Sequence, residues 1–324
     1  MALSTEIFDS DHKMADHTTS VSPYIMIAGP TASGKSQLAV DLARRFGGAV
    51  INADSIQLYA DLTILTARPQ PHDMQDVPHH LFGICDAAHR ASVVEWLAFA
   101  ATAMADVRAA GQLPIIVGGT GMYLQAGLRG IAPVPDVPED VHQHCINLHQ
   151  DLGGAKFRQV LAGYDAEMAA RLVDGDRQRL IRAMGVALAT GYPLSWWQQQ
   201  PHKGAFLGQA TTIAMMPPRP TLYDRINHRF DHMVRHGAVD EVARLMALNL
   251  DSGLPLMKAL GVAPIAAFLA GDITKDDASF VAKRDSRRYA KRQMTWIRNN
   301  FNAQITIEKK YSESLYEKIF SLIR

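Results

Sequence analysis

The stretch YIMIAGPTASGKSQLAV, residues 24–40, constrains this chain more than any other part of it. A short apolar run leads into Gly29, Gly34-Lys35-Ser36 follows after four residues, and a helix-forming segment runs on to about Phe46. Strand, glycine loop and helix in that order are the context that makes Gly-x-x-x-x-Gly-Lys-Ser a phosphate-binding loop. Its residues Gly29, Pro30, Thr31, Ala32, Ser33, Gly34, Lys35 and Ser36 are the candidate diphosphate or nucleotide site. Glycines let the backbone curl around phosphate oxygens, the helix N-terminus adds positive potential, Lys35 neutralises charge and Ser36 can ligate Mg2+.

The rest of the chain must supply a sheet for that loop. GAVINADS is a second apolar strand, predicted to end in Asp54. Ser92 to Gly111 is predicted as a helix opened by a Ser92-x-x-Glu95 capping box, and LPIIVGGTG follows as a third strand. This alternation implies an α/β fold, a P-loop NTPase-like parallel sheet with helices on both faces, with functional groups at the carboxyl ends of its strands. From Pro133 the texture changes: APVPDVPED is a proline-rich hinge, residues 139–200 read as short helices, and TTIAMMPP (211–218) returns to the sheet. The expected organisation is a disordered or loosely held polar tail (1–22), a catalytic core with C-terminal helices (23–132 and 206–324), and an inserted all-helical domain (133–205). Thr221-x-x-Asp224 is expected to cap a helix, and residues 275–301 to form a long basic one. ITIEKK suggests a last short strand, with an amphipathic helix beyond it carrying Leu315, Ile319, Leu322 and Ile323.

The 324 residues, 48% of them hydrophobic, can bury a core of ordinary size, and the net charge of +1 conceals a basic cluster near the C-terminal end. Two cysteines, Cys85 and Cys145, are too few for a disulfide framework and suit a reducing compartment. No apolar run approaches the roughly 18 residues of a membrane helix, and the N-terminus lacks the apolar stretch of a secretory signal, so a cytoplasmic monomer without a membrane partner is expected.

A P-loop ATPase usually carries an acidic residue at the end of a neighbouring apolar strand to help hold magnesium. LPIIVGGTG ends in Gly118-Gly119-Thr120-Gly121 instead, which argues against hydrolysis of ATP. The acid stands on the other strand, at Asp54, where it suits a general base acting on an acceptor, or alternatively a loop anchor. In residues 282–301 seven basic residues oppose the single acid Asp285, and spacings of three and four place Arg284, Arg288 and Lys291 on one helical face. Such a stripe matches a phosphodiester backbone, with Arg292 beside it and Tyr289 and Trp296 for packing or stacking, or is simply a solvated face. His142, Cys145 and His149 share a helical face, yet a zinc site would need a fourth ligand that the sequence does not offer.

GPTASGKS, NADSIQLY, TARP with PHHLFGICD, VGGTGMYLQAGLRG, DRQRLIRAMGVALATG, RPTLYDRINHRFDHMVRHGAVDEV, KALG and KRQMTWIRN occur in one order between about residues 24 and 300. In this ordered set the chain resembles the tRNA dimethylallyltransferases, also called isopentenyl-tRNA transferases, of the bacterial type without a zinc finger. The resemblance implies transfer of the dimethylallyl group of dimethylallyl diphosphate to the N6 amine of the adenosine 3′ of the anticodon, with Mg2+ as cofactor. It implies that Lys35 and Arg225 meet the diphosphate, Asp54 takes the proton of the amine, and Thr120 contacts substrate near the same point. It also implies that Asp54, Ser55, Ile56 and Gln57 meet the extracted base and its neighbours, the Gln57 amide being suited to a base edge. Gln178, Arg179, Leu180, Ile181 and Arg182 are expected to meet tRNA, as are Arg288, Lys291 and Arg292. Gly185, after Arg182-Ala183-Met184, replaces a commonly acidic residue, and Gly261-Val262 replaces the usual Gly-Tyr. The rival chemistries for the same cradle are an ATP-dependent kinase of a small metabolite and a prenyltransferase using free AMP or ADP.

Overall fold

The computed structural model describes residues 23–309. Six strands form one parallel sheet: β1 (Tyr24–Ala28), β2 (Gly48–Asn52), β3 (His79–His80), β4 (Leu113–Gly118), β5 (Ala210–Met215) and β6 (Ile305–Ile307), in the order β3-β2-β4-β1-β5-β6. Successive side chains of a strand point to opposite faces, and the core divides accordingly. Ile25, Ile27, Val50, Ile115, Val117 and Ile213 pack on α1 (Lys35–Phe46), whereas Met26, Ile51, Ile116 and Ala214 face the larger cluster. That cluster contains α3 (Val93–Ala109) and α4 (Gly121–Arg129), together with α9 (Arg219–Arg235), α10 (Ala238–Ala247), α11 (Val262–Leu269) and α12 (Lys275–Asn300). A one-turn helix, α2 (Pro71–Met74), leads into β3.

Between α4 and β5 lie α5 (Glu139–Ala162), α6 (Ala166–Arg171), α7 (Arg177–Thr190) and α8 (Leu194–Gln198). They have a hydrophobic cluster of their own, built on Phe157, Leu161, Leu180, Ile181 and Met184. α5 is broken at Gly153, whose φ of 72° no helix interior adopts. Buried Asp165 ties this unit together by accepting from Ser195 N, Ser195 Oγ and Met168 N. Gly185 packs against Val137 and Cys145, where a larger side chain would crowd the helix contact.

Three local expectations change. β2 ends at Asn52, two residues before Asp54, because Asn52 is buried and turns its amide to the carbonyls of Asp54 and Leu81, which closes a loop. Thr221 does not cap a helix: Pro218 is the N-cap of α9 and Pro220 lies within its first turn, since the proline ring fixes a helical φ and needs no donor. Ser92 caps α3 by accepting from Glu95 N, but Glu95 turns its carboxylate to His89, so the reciprocal half of the box is not made. The expectation of a helix carrying Leu315, Ile319, Leu322 and Ile323 falls outside the described residues. Among the described residues no helix is long and apolar enough to cross a membrane.

Candidate active site

The loop between β1 and α1 closes on itself as a cradle. Gly34 sits at φ +95°, and a Cβ on Gly29 would come within 2.6 Å of the Ser33 hydroxyl, so both positions require glycine. Residues 31–36 line a cavity of about 860 Å³, which Gly29 and Pro30 do not reach. Ser33 Oγ is buried without a hydrogen-bond partner and Ser36 lies at the exposed lip. An unpartnered buried hydroxyl beside an exposed one suits a polyanion accompanied by a hard cation that takes only part of its oxygen ligands from protein, as Mg2+ does. Lys35 Nζ reaches the Pro30 carbonyl at 3.5 Å. The residue as a whole is half-buried, but desolvation of its ammonium lowers its pKa from the usual 10.5 to about 8, Arg229 pushes the same way and Asp54 opposes.

α9 supplies the facing wall. Arg225, His228, Arg229, His232 and His236 all line the cavity from this helix or its end. Arg225 Nη1 donates to the Ser33 carbonyl at 3.5 Å and so sits at the cradle, while the acids Asp231 and Glu241 are taken by Lys283 and by backbone amides. Arg229 donates to the Thr31 hydroxyl, and desolvation lowers its pKa against the pull of Asp54. Sequence reasoning passed over Arg229 and the histidines, although four-residue spacing puts Arg225 and Arg229 on one helical face.

A second cavity of about 330 Å³ adjoins the first. Thr31, Asp54, Thr66, Arg229 and Met233 line both. Its other walls are the apolar Leu65, Ile226 and Phe230, with Ser55, Ile56, Tyr289 and Arg292. Asp54 therefore stands at the junction. Its backbone is held by Asn52 and its Oδ1 accepts from Ile56 N at 3.1 Å, which leaves the second carboxylate oxygen for the cavities. Asp54 thus anchors a loop and at the same time lines both cavities.

Thr120 does not line either cavity. Its hydroxyl accepts from Ser55 N at 2.9 Å and donates to Ser55 Oγ at 3.3 Å, so it sets Ser55 in place. Gln57 lines the first cavity rather than the second, and its amide nitrogen is spent on the carbonyls of Thr66 and Ala67, which leaves only its carbonyl oxygen for a base edge. Sequence reasoning also missed Gln293. Buried in α12, it accepts from Thr31 N and donates to Gly119 O, both at 2.9 Å, and so ties the cradle to the turn after β4.

The nucleic-acid candidates separate by exposure. Gln178, Arg179 and Arg182 are exposed, whereas Leu180 and Ile181 are 0% and 4% exposed and belong to the helical core, which corrects their assignment to a tRNA surface. On α12, Lys283 pairs with Asp231, Arg284 with Asp285 at 3.0 Å, and Arg287 with Asn227. Arg288 stays exposed within 3.6 Å of Asp285, Lys291 is exposed, and Arg292 lies over the Tyr289 ring at the edge of the second cavity. Cys145 is buried and His149 packs its ring against Phe157, and among the described residues no group of metal-ligating side chains occurs.

A phosphate cradle walled by arginines, joined through one carboxylate to a chamber with apolar and aromatic walls, defines a P-loop-type enzyme with a place for an acceptor beside its anion site. The IPP transferase profile matches residues 57–300, and the isopentenyl transferase profile residues 23–81. The chain is 45% identical to a tRNA dimethylallyltransferase of Paramagnetospirillum magneticum over 95% of its length and 98% of the relative's, and 46% identical to that of Hyphomonas neptunium over 93% and 96%. Among solved structures, the tRNA isopentenylpyrophosphate transferase of Bacillus halodurans superposes with a TM-score of 0.67 at 31% identity, covering 94% of this chain and 95% of that one. A eukaryotic dimethylallyltransferase acting on tRNA superposes with a TM-score of 0.74 at 25% identity, covering 85% and 70%. This chain belongs to the IPP transferase family, the tRNA dimethylallyltransferases.

Proposed function

We propose that this protein transfers the dimethylallyl group of dimethylallyl diphosphate to the N6 amine of the adenosine 3′ of the anticodon in tRNA, releasing diphosphate. The observation that carries the reading is the position of Asp54, shared by the cation-lined cradle and the chamber beside it. The diphosphate rests on residues 31–36 with Lys35, Arg225 and Arg229 around it. As the allylic C–O bond breaks, negative charge grows on the departing oxygens, and fixed cations and amides stabilise that charge without reorganising. Mg2+ held at Ser36 would neutralise part of the same charge. The exocyclic amine of adenine is a weak nucleophile because its lone pair is delocalised into the ring. Asp54 accepts its proton as the new C–N bond forms, and the bond pair of the C–O bond leaves with the diphosphate.

The target base must leave its stack, at a cost of a few kcal/mol. Ser55, Ile56 and the Tyr289 ring receive it, and Arg288, Lys291 and Arg292 on α12, with Gln178, Arg179 and Arg182 on α7, hold the surrounding phosphates. The test incubates the protein with labelled dimethylallyl diphosphate, Mg2+ and either tRNA or AMP. Label on tRNA, at the adenosine 3′ of the anticodon, is the expected result. Label on AMP alone, or phosphoryl transfer from ATP to a small acceptor, overturns the reading.

A further inference from the structure

Glu241 is 3% exposed, yet its carboxylate meets backbone rather than a basic side chain. Oε1 accepts from Thr63 N at 2.6 Å and from Ile64 N at 2.9 Å, and Oε2 accepts from Leu65 N at 2.9 Å. Three successive amides converging on one anion form a nest, and the first turn of α10, where Glu241 sits, adds favourable potential for a negative charge. The segment so held is part of the site. Thr63, Ile64 and Thr66 line the cradle cavity, and Leu65 and Thr66 line the adjoining chamber. Thr66 and Ala67 offer the carbonyls that hold Gln57. The segment lies in a loop outside any strand, with Ala67 at φ 52°, and is otherwise held by Arg68 donating to the Thr63 hydroxyl and by Thr66 donating to the Leu62 carbonyl.

We infer that Glu241 is a positioning residue for the transfer reaction: by binding the amides of Thr63, Ile64 and Leu65 it fixes the wall shared by the two cavities, and through Thr66 and Ala67 the side chain of Gln57. Glu241 touches no reacting atom. The groups proposed to bind diphosphate are residues 31–36, Arg225 and Arg229, none of which bonds to Glu241, so its loss should shift the loop wall of both cavities and leave those groups in place. This inference rests on the functional reading above.

The experiment compares wild type with Glu241→Gln, which is isosteric but turns an NH2 group toward the Leu65 amide, and with Glu241→Asp, which keeps the charge and withdraws it by one methylene. Prenyl transfer to tRNA, affinity for inorganic diphosphate and amide hydrogen exchange are read for each. The expected result is a fall of about tenfold or more in kcat/KM for tRNA, diphosphate affinity within about threefold of wild type, and faster exchange at residues 63–65. Asp should recover part of the loss in Gln. A folded variant with wild-type kcat/KM overturns the inference, and so does an equal loss of diphosphate affinity and turnover, the mark of a purely structural role. Should neither variant fold, free exchange of the amides of residues 63–65 in wild type overturns it and protected exchange supports it. Wild-type protein that fails to label tRNA brings down the functional reading and this inference together, whereas label transfer by wild type with unaffected variants brings down the inference alone.

Discussion

Arg229 of α9 donates to the hydroxyl of Thr31 in the phosphate loop, and the same guanidinium shares the junction of the two cavities with Asp54. The contact fastens the helix wall to the cradle and places a further cation, beside Lys35 and Arg225, on the cavity proposed to hold the leaving diphosphate. A hydrogen bond to a charged group contributes ~1.5–3 kcal/mol. Arg229→Met should therefore raise KM for dimethylallyl diphosphate by about tenfold to a hundredfold. Because the guanidinium is desolvated in the free protein, the variant should melt no lower than wild type. Steady-state kinetics and thermal unfolding check the two halves separately.

Asp54 predicts the opposite pairing of effects. Asp54→Asn keeps an oxygen for Ile56 N and removes the proton acceptor, so turnover should fall by ~10²–10⁴, the usual contribution of a general base. Diphosphate affinity should hold or tighten, because a carboxylate has left the neighbourhood of an anion. Calorimetric titration with diphosphate beside single-turnover transfer to tRNA measures both, and unchanged turnover would remove Asp54 from the mechanism.

Lys35 makes the free site sensitive to pH. Its folded pKa of about 8 lies below the 10.5 of the unfolded chain. Between those values the unfolded state holds a proton that the folded state lacks, so this residue's contribution to stability improves as pH rises through the window and is least favourable below about 8. Binding runs the other way. A diphosphate beside the ammonium favours its charged form, so at pH above about 8 binding should take up a proton and affinity should weaken with further rise in pH. Titrations in two buffers of different ionisation enthalpy count that proton, and in Lys35→Met the buffer dependence attributable to it should vanish.

The parts of this site that are local in sequence could be read from it. The cradle announces itself because eight consecutive residues build it, and Asp54 because it follows β2 by two residues, close enough to line the cradle's cavity. The parts that depend on a partner element could not. Arg229 lies four residues from Arg225 in LYDRINHRF, but only the docked position of α9 makes it face Thr31. Leu180 and Ile181 fall within a motif that resemblance assigned to tRNA, yet they are apolar neighbours on the buried side of α7. The role of Gln293 had no local signal: a glutamine in a basic helix reads as surface until its two amide bonds to Thr31 and Gly119 are known. Resemblance places Thr120 against the substrate, while the fold spends its hydroxyl on Ser55.

The glycines of that GGTG turn give a prediction about packing rather than chemistry. A Cβ at Gly119 would lie 2.3 Å from Gln293 Nε2, and one at Gly121 would lie 2.4 Å from the Trp296 ring. Neither glycine has a positive φ, so the requirement is room for α12. Gly121→Ala should destabilise by ~1–3 kcal/mol, the range for overpacking, since an indole ring cannot step aside as a flexible chain end does. Gly175→Ala, where nothing lies within 4 Å, should be neutral. Denaturant unfolding of the two variants against wild type decides the point.

The basic face of α12 is only partly available to an anionic partner. Arg284 is bonded to Asp285 through Nε, and Lys283 to Asp231, so both already have counter-charges. Lys291 and Arg292 are exposed, and Arg292 reaches the rim of the chamber that Tyr289 lines. Each phosphate contact releases condensed counterions, so losing one should lower the slope of log affinity against log salt by ~1. Lys291→Ala and Arg292→Ala should each weaken tRNA binding and reduce that slope, whereas Arg284→Ala should change it little. Arg292→Ala should also slow transfer at saturating tRNA, because it borders the chamber proposed to receive the base, and Lys291→Ala should not. Filter binding over a salt series with single-turnover transfer distinguishes them. Equal slopes for all three variants and wild type would mean that α12 presents a solvated face and that the backbone contacts lie elsewhere.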